Sequence, residues 1–224
     1  DAVVTAYQAV AQLRQHIQQT ERIHGIITDG GLAPNIVPER AACRFFVRAR
    51  DGVALADLKK RVQACFEAGA LATGTRLELN WGRVDCLDVK TNWTLARAYE
   101  NNAKSLGREF LDPDTIPAGL AGSTDMGNVS HRVPSIHPMI AVSPPSVVIH
   151  NAEFATYAKS PKGDQAVIDG AKSLAMTALD FFDSGTMRKQ AKDEFDSTAE
   201  RSRQSVGSAF HKDGVLFGVG CGCC

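Results

Sequence analysis

Long hydrophobic runs are missing from this chain of 224 residues. No stretch approaches the ~18 apolar residues that a membrane-spanning helix needs, so no membrane partner is expected. An excess of charge of either sign is missing too, since Lys plus Arg and Asp plus Glu each total 25. That balance gives no electrostatic reason to expect nucleic acid or an anionic membrane surface. Cysteine pairs at metal-binding spacing are also lacking. Cys43, Cys65 and Cys86 stand singly in apolar or strand-like surroundings, which implies reduced core residues of a cytoplasmic protein. Cys221, Cys223 and Cys224 crowd the ending GVLFGVGCGCC, too close together for an ordinary four-ligand zinc site. An aberrant C-terminus fits that ending better than a metal motif does. The first residue, Asp1, falls inside a helical pattern with no Met and no basic stretch before it. A signal peptide is therefore neither seen nor excluded.

The most structured stretch is residues 22–50, RIHGIITDGGLAPNIVPERAACRFFVRAR. Ile23, Gly25 and Ile27 alternate with His24, Ile26 and Thr28, and Cys43, Phe45 and Val47 alternate with Arg44, Phe46 and Arg48. Period-two alternation predicts two strands with one covered and one open face. The open set holds His24, Arg44 and Arg48. Between the strands, Gly30 and Gly31 permit positive φ, while Pro34 and Pro38 restrain the chain around Asn35. The pattern fits an ordinary hairpin with a polar outer face. Spacing alone favours that reading over a device that grips an anion or a carbonyl oxygen.

Helical spacing of Val3, Tyr7, Val10, Leu13 and Ile17 predicts a helix over 1–19. A second follows Asp51-Gly52 through Leu55, Leu58, Val62, Phe66 and Gly69, closing near 72–74. Residues 75–81 read as a third strand through Leu77, Leu79 and Trp81. The order helix, strand, strand, helix, strand would become the ferredoxin-like split motif with one strand added in front. Beyond Gly82, a helix is expected over 91–106, strands over 135–142 and 147–149, and an amphipathic helix over 165–183 through Ile168, Ala171, Leu174, Ala178 and Phe182. Residues 184–206 are charged and weakly periodic, compatible with a solvated helix.

Three segments together, GIITDGGLAPNIVPERAACRFFVRA, GSTDMGNVSHRVPSIHP and His150–Phe154, resemble the amidohydrolase branch of metallopeptidase family M-twenty, over roughly residues 1–196. The resemblance implies an α/β (α+β) protein in three parts. Residues 1–82 would be a ferredoxin-like lid, or dimerisation, domain lacking its first strand. Residues 83–185 would be the C-terminal part of an α/β/α dizinc-peptidase catalytic domain, and residues 186–224 a tail with some disorder. It implies a homodimer through the lid, a small-molecule substrate and two zinc ions per complete subunit.

It also implies roles for particular residues. His150 would complete one zinc coordination sphere, as a neutral imidazole held by an acceptor on its other nitrogen can do. Asn35 and Arg48, with His24 as a weaker candidate, would bind the substrate carboxylate or an oxyanion. A guanidinium fork matches a carboxylate bidentately. Ser123, Thr124 and Asp125 would line the substrate pocket, although the same residue types also make plain turns. Asp125 would orient either His150 or a substrate amine, and the two roles stay open. His131 and His137 have no partner at a recognised ligand spacing and read as structural.

In the family the His-x-Asp pair, the bridging Asp and the Glu-Glu general base lie ahead of the lid. No Glu-Glu occurs in this chain, and its one His-x-Asp, His211-Lys212-Asp213, stands in the tail. No catalytic base is therefore expected here, and His150 is the only credible metal ligand. The expected function is that of a metal-dependent hydrolase of amide or dipeptide bonds in substrates with a free carboxylate, of N-acyl amino acid, aminobenzoyl-glutamate or dipeptide type. It would be present as an incomplete, inactive portion. The alternatives are a non-catalytic dimerisation module and a degenerate gene product.

Overall fold

The computed structural model describes residues 1–112 and 124–209. They form helices and one small sheet, and divide into two units: Asp1–Leu87 with residues 204–209, and Asp88–Arg203.

In the first unit, helix α1 (Ala2–Leu13) runs into a single 3₁₀ turn, Arg14–His16. Strands β1 (Arg22–Asp29) and β2 (Ala42–Arg48) pair antiparallel, with Ile23 opposite Val47 and Gly25 opposite Phe45. Helix α2 (Gly52–Thr73) begins where the Asp51 carboxylate accepts the Ala54 N–H at 2.9 Å. It ends at Gly74, whose φ of 63° is the left-handed cap that glycine adopts without a Cβ penalty. The core gathers Ala6, Val10, Ile23, Leu58, Val62 and Phe66. Two close approaches fix its shape. A Cβ on Gly69 would lie 2.7 Å from the Ala2 carbonyl oxygen, so α1 and α2 meet nearly backbone to backbone. A Cβ on Gly25 would lie 2.4 Å from the Phe45 ring, which sits tilted against Tyr7 and edge-to-face with Phe66, centroids 5.1 and 5.2 Å away. The Tyr7 hydroxyl and the Arg14 Nε donate to the carbonyls of Gly25 and Ile23 at 2.6 and 2.9 Å, tying α1 to β1.

In the second unit, α3 (Trp93–Ser105), α4 (Met126–Ser130), α5 (Ala152–Ala158), α6 (Pro161–Asp183) and α7 (Gly185–Asp196) follow in turn, and α8 (Ala199–Ala209) leads back to the first unit. Helix α3 packs mainly on α6. Its N-terminus is capped by Asn92 and by the Glu194 carboxylate, which accepts the N–H groups of Trp93 and Thr94. Burial would raise the Glu194 pKa, but those donors hold it below the usual carboxylate value.

Four expectations need correction. Residues 75–81 are extended and place Leu77 and Trp81 against the core, yet they join no sheet. Alternation reports which side chains face inward, not whether a strand has a neighbour to bond. Residues 135–142 and 147–149 are not strands, beyond one isolated bridge between Thr91 and Ser135. Pro138 supplies no ladder donor within the first stretch, and Pro144 and Pro145 break the chain between the two. Residues 184–206, compatible with a solvated helix, are indeed helical in α7 and α8 but not wholly solvated, since Ala191, Ser202 and Ser205 are buried. Cys86 is disulfide-bonded rather than reduced, whereas Cys43 and Cys65 are free thiols whose pKa burial pushes up.

Candidate functional site

The open face of the β1–β2 sheet carries the cationic set. Register places His24 opposite Phe46, Ile26 opposite Arg44, and Arg22 opposite Arg48. His24, Arg44 and Arg48 are all exposed, and the Arg48 guanidinium sits over the Phe46 ring at 5.9 Å. That contact steadies a long side chain without neutralising it, leaving its donors free to meet an anion. Of the two arginines opposed across the ladder, Arg22 already donates to the carbonyls of Gln19 and Glu21, which leaves Arg48 as the more available cation. Asn35 is exposed on the connection between the strands. There Asp29 accepts the Gly31 N–H at 3.2 Å, and a Cβ on Gly31, at φ 102°, would meet Pro38 at 2.5 Å. Of the glycines and prolines read from the sequence as restraining this loop, Gly31 and Pro38 are the pair seen in close approach.

The second group of predicted residues lies in the other unit. The Thr124 hydroxyl accepts the Met126 N–H at 3.3 Å, and the Thr124 and Asp125 carbonyls accept from Gly127 and Asn128. These bonds spend the loop's polar groups on starting α4. Asp125 remains exposed, and Ser123 lies outside the described residues. His150 is exposed and adopts φ 66°, the only positive φ of a non-glycine residue among the described ones. No strand precedes it, contrary to expectation. Instead Asn151 caps α5, accepting the Phe154 N–H at 2.7 Å, and sets the bend that turns His150 outward. A left-handed histidine costs energy relative to glycine.

His131 is buried and bracketed, with Nδ1 3.2 Å from the Ser202 hydroxyl and Nε2 3.3 Å from the Asp88 carboxylate. The Lys90 ammonium donates to Ser202 and to the Phe195 carbonyl and rests 3.9 Å above the Phe195 ring. Burial lowers its pKa, against the opposing pull of Asp196 and Glu194. No local spacing marks this cluster, because its members come from segments 43 to 112 residues apart. His137 is exposed. An open cleft of about 250 Å³ beside Tyr99, Arg108, Phe110 and Met139 is lined by none of the predicted site residues that the structure describes.

One carboxylate in this unit gives a pH prediction. Gln165 donates to Asp169 at 2.8 Å and Arg108 pairs with it at 2.7 Å. The Gln165 hydrogen bond first, then Arg108 against the opposing effect of burial, lowers the Asp169 pKa. A folded-state pKa below the unfolded one, ~3.9, stabilises fully above that value and is lost as pH falls through the folded pKa. Urea midpoints of the second unit should therefore drop below about pH 4, and Asp169→Asn should flatten that part of the profile.

The family that the sequence resembles uses zinc, and the donors present do not make a zinc centre by themselves. Among the described residues no three His, Cys, Asp or Glu side chains converge as metal ligands would, and His150 stands alone and exposed. Among the same residues no helix is long and apolar enough to cross a membrane.

Comparison with known proteins gives these features a setting. The family profile described as a peptidase dimerisation domain matches residues 1–73. The mouse (Mus musculus) Xaa-Arg dipeptidase is 38% identical over 87% of this chain and 45% of its own length. Its human (Homo sapiens) counterpart is 40% identical over 80% of this chain and 41% of its own length. A subunit of the p-aminobenzoyl-glutamate hydrolase of Escherichia coli (strain K12) is 24% identical over 84% of this chain and 50% of its own length. The chain thus spans half or less of the length of these curated relatives. With the dimerisation-domain match over α1, β1, β2 and α2 and the hydrolase relatives extending beyond it, the chain belongs to metallopeptidase family M-twenty.

Proposed function

We propose that this chain supplies the lid (residues 1–82) and the C-terminal catalytic part (83–185) of a hydrolase that cleaves an amide or dipeptide bond in a substrate with a free carboxylate. The similarity to Xaa-Arg dipeptidases over most of the chain carries this reading. Arg48, Asn35 and His24 hold the substrate carboxylate or the oxyanion, and Ser123, Thr124 and Asp125 line the pocket. His150 gives one ligand to a site of two zinc ions per complete subunit. The remaining ligands and the general base come from residues beyond these segments. The lid joins two subunits into a homodimer. By itself the chain is inactive. The location expected is the cytoplasm. A non-catalytic dimerisation module is the second reading, favoured by the dimerisation-domain match and by the lack of a converging ligand set among the described residues.

Arg48→Ala separates the two readings. The side chain is exposed, so thermal stability should change by no more than ~0.5 kcal/mol. In a chain extended to the length of its relatives, loss of a charge-assisted clamp should weaken turnover by roughly 1.5–3 kcal/mol in kcat/KM. A variant that unfolds, or one with unaltered kinetics, contradicts the assignment.

A further inference from the structure

The open face of the β1–β2 sheet carries apolar side chains among its cations, and the core makes no use of them. Phe45 packs inward on Tyr7 and Phe66, so the next residue, Phe46, points outward and is 49% exposed. Register sets His24 directly across from Phe46 and places Ile26, 63% exposed, on the diagonal beside it. That diagonal is within reach of an aromatic ring. Arg48, two residues along the same strand, holds its guanidinium 5.9 Å from the centre of the Phe46 ring. Arg48 has no carboxylate partner among the described residues. Single apolar residues scattered over a surface are ordinary. Here a ring and a branched aliphatic side chain stand together beside an unpaired cation, on one hydrogen-bonded ladder. The face is amphipathic.

We propose that Phe46, with Ile26, determines which substrates the carboxylate site at Arg48 accepts. The two side chains receive the apolar group carried on the nitrogen side of the substrate's carboxylate-bearing residue. The occupant is thus an acylated amino acid or a dipeptide with an aromatic or branched aliphatic group at that place. Two observations select it. The apolar patch is two side chains wide and bounded by His24 and Arg44, too small for a stable protein interface. A cation so close to the ring suits one molecule that carries an anion and an apolar group a few bonds apart. Charge complementarity places the carboxylate on Arg48, and an aromatic acyl ring then lies offset or edge-on against Phe46. The inference rests on the proposed function in taking Arg48 as the carboxylate's partner, and its test separates the two.

The probes are N-benzoylglycine and N-acetylglycine, which share a carboxylate and an amide and differ in the acyl group. Each is titrated into the purified chain, and dissociation constants are read from amide chemical shifts by NMR. The unaltered chain is compared with Phe46→Ala, Phe46→Tyr, Arg48→Ala and, as a control, Leu71→Ala, which alters an 85% exposed residue of α2. N-benzoylglycine should bind at least ~5-fold more tightly than N-acetylglycine, with shifts at His24, Ile26 and Arg44. Phe46→Ala should bring the two constants within ~2-fold of each other, whereas Phe46→Tyr and the control should keep the preference. Comparing the two acids cancels any effect of the substitution on Arg48 itself. Equal affinities in the unaltered chain, a preference that survives Phe46→Ala, or binding of neither acid overturns the proposal. Self-association abolished by Phe46→Ala also overturns it, since a second copy would then cover the face. Equal affinities that both fall with Arg48→Ala overturn it while leaving the carboxylate role of Arg48 intact. A preference lost with Phe46→Ala but indifferent to Arg48→Ala supports the apolar site and counts against the proposed function alone.

Discussion

Replacing His150 with Ala in a chain extended to the length of its relatives is expected to remove one zinc per subunit and to lower kcat by more than ~100-fold. That bound follows because loss of a residue that merely supports a metal ligand already costs 10–100-fold. The imidazole is exposed, so folding should not suffer. The backbone supplies a control. At φ 66° a histidine sits in the left-handed region that glycine enters freely. His150→Gly should therefore lose the same zinc and the same turnover while melting no lower than the unaltered protein. Two zinc ions per subunit in either variant would refute the assignment of His150.

Leu58→Ala should produce the largest loss of stability from a single truncation in the first unit. Leu58 is fully buried at the centre of α2, in the same core as Val10, Val62 and Phe66. Truncation removes the transfer free energy of the side chain and leaves a cavity that close-packed neighbours only partly fill. The expected cost is about 2–5 kcal/mol, a large fraction of the ~5–15 kcal/mol that holds a domain together. Denaturant midpoints measure it directly. Arg48→Ala makes the contrast, because that side chain is exposed and lies outside the core. A change below ~0.5 kcal/mol at Leu58 would show that this core does not organise the unit.

Elements that announce themselves locally are readable from the sequence. The apolar spacing of α1 and α2, the Asp51 cap, the Gly74 terminus and the alternation in β1 and β2 are each decided by neighbours within a few residues. So is the open face bearing His24, Arg44 and Arg48. What escapes depends on distant segments. Residues 75–81 have a strand's alternation without a strand's partner. Residues 135–149 have a strand's apolar content, broken by Pro138, Pro144 and Pro145, and pair only through the isolated bridge of Ser135 to Thr91. The amphipathic spacing of α6 is plain in the sequence, yet periodicity cannot say which stripe faces inward, and the polar stripe is the buried one. The Asp88, Lys90, His131 and Ser202 cluster assembles from residues far apart in the chain. The disulfide at Cys86 likewise has no local signature.

This chain belongs to a zinc-hydrolase family, while its own described residues do not converge into a metal centre. Zinc stoichiometry of the purified chain, read by elemental analysis after dialysis against a zinc-buffered solution, tests that pairing directly. Well below one tightly held zinc per chain is predicted, since His150 alone cannot retain the ion without further ligands. Two tightly bound zinc ions per chain, accompanied by hydrolysis of a dipeptide ending in arginine, would contradict it.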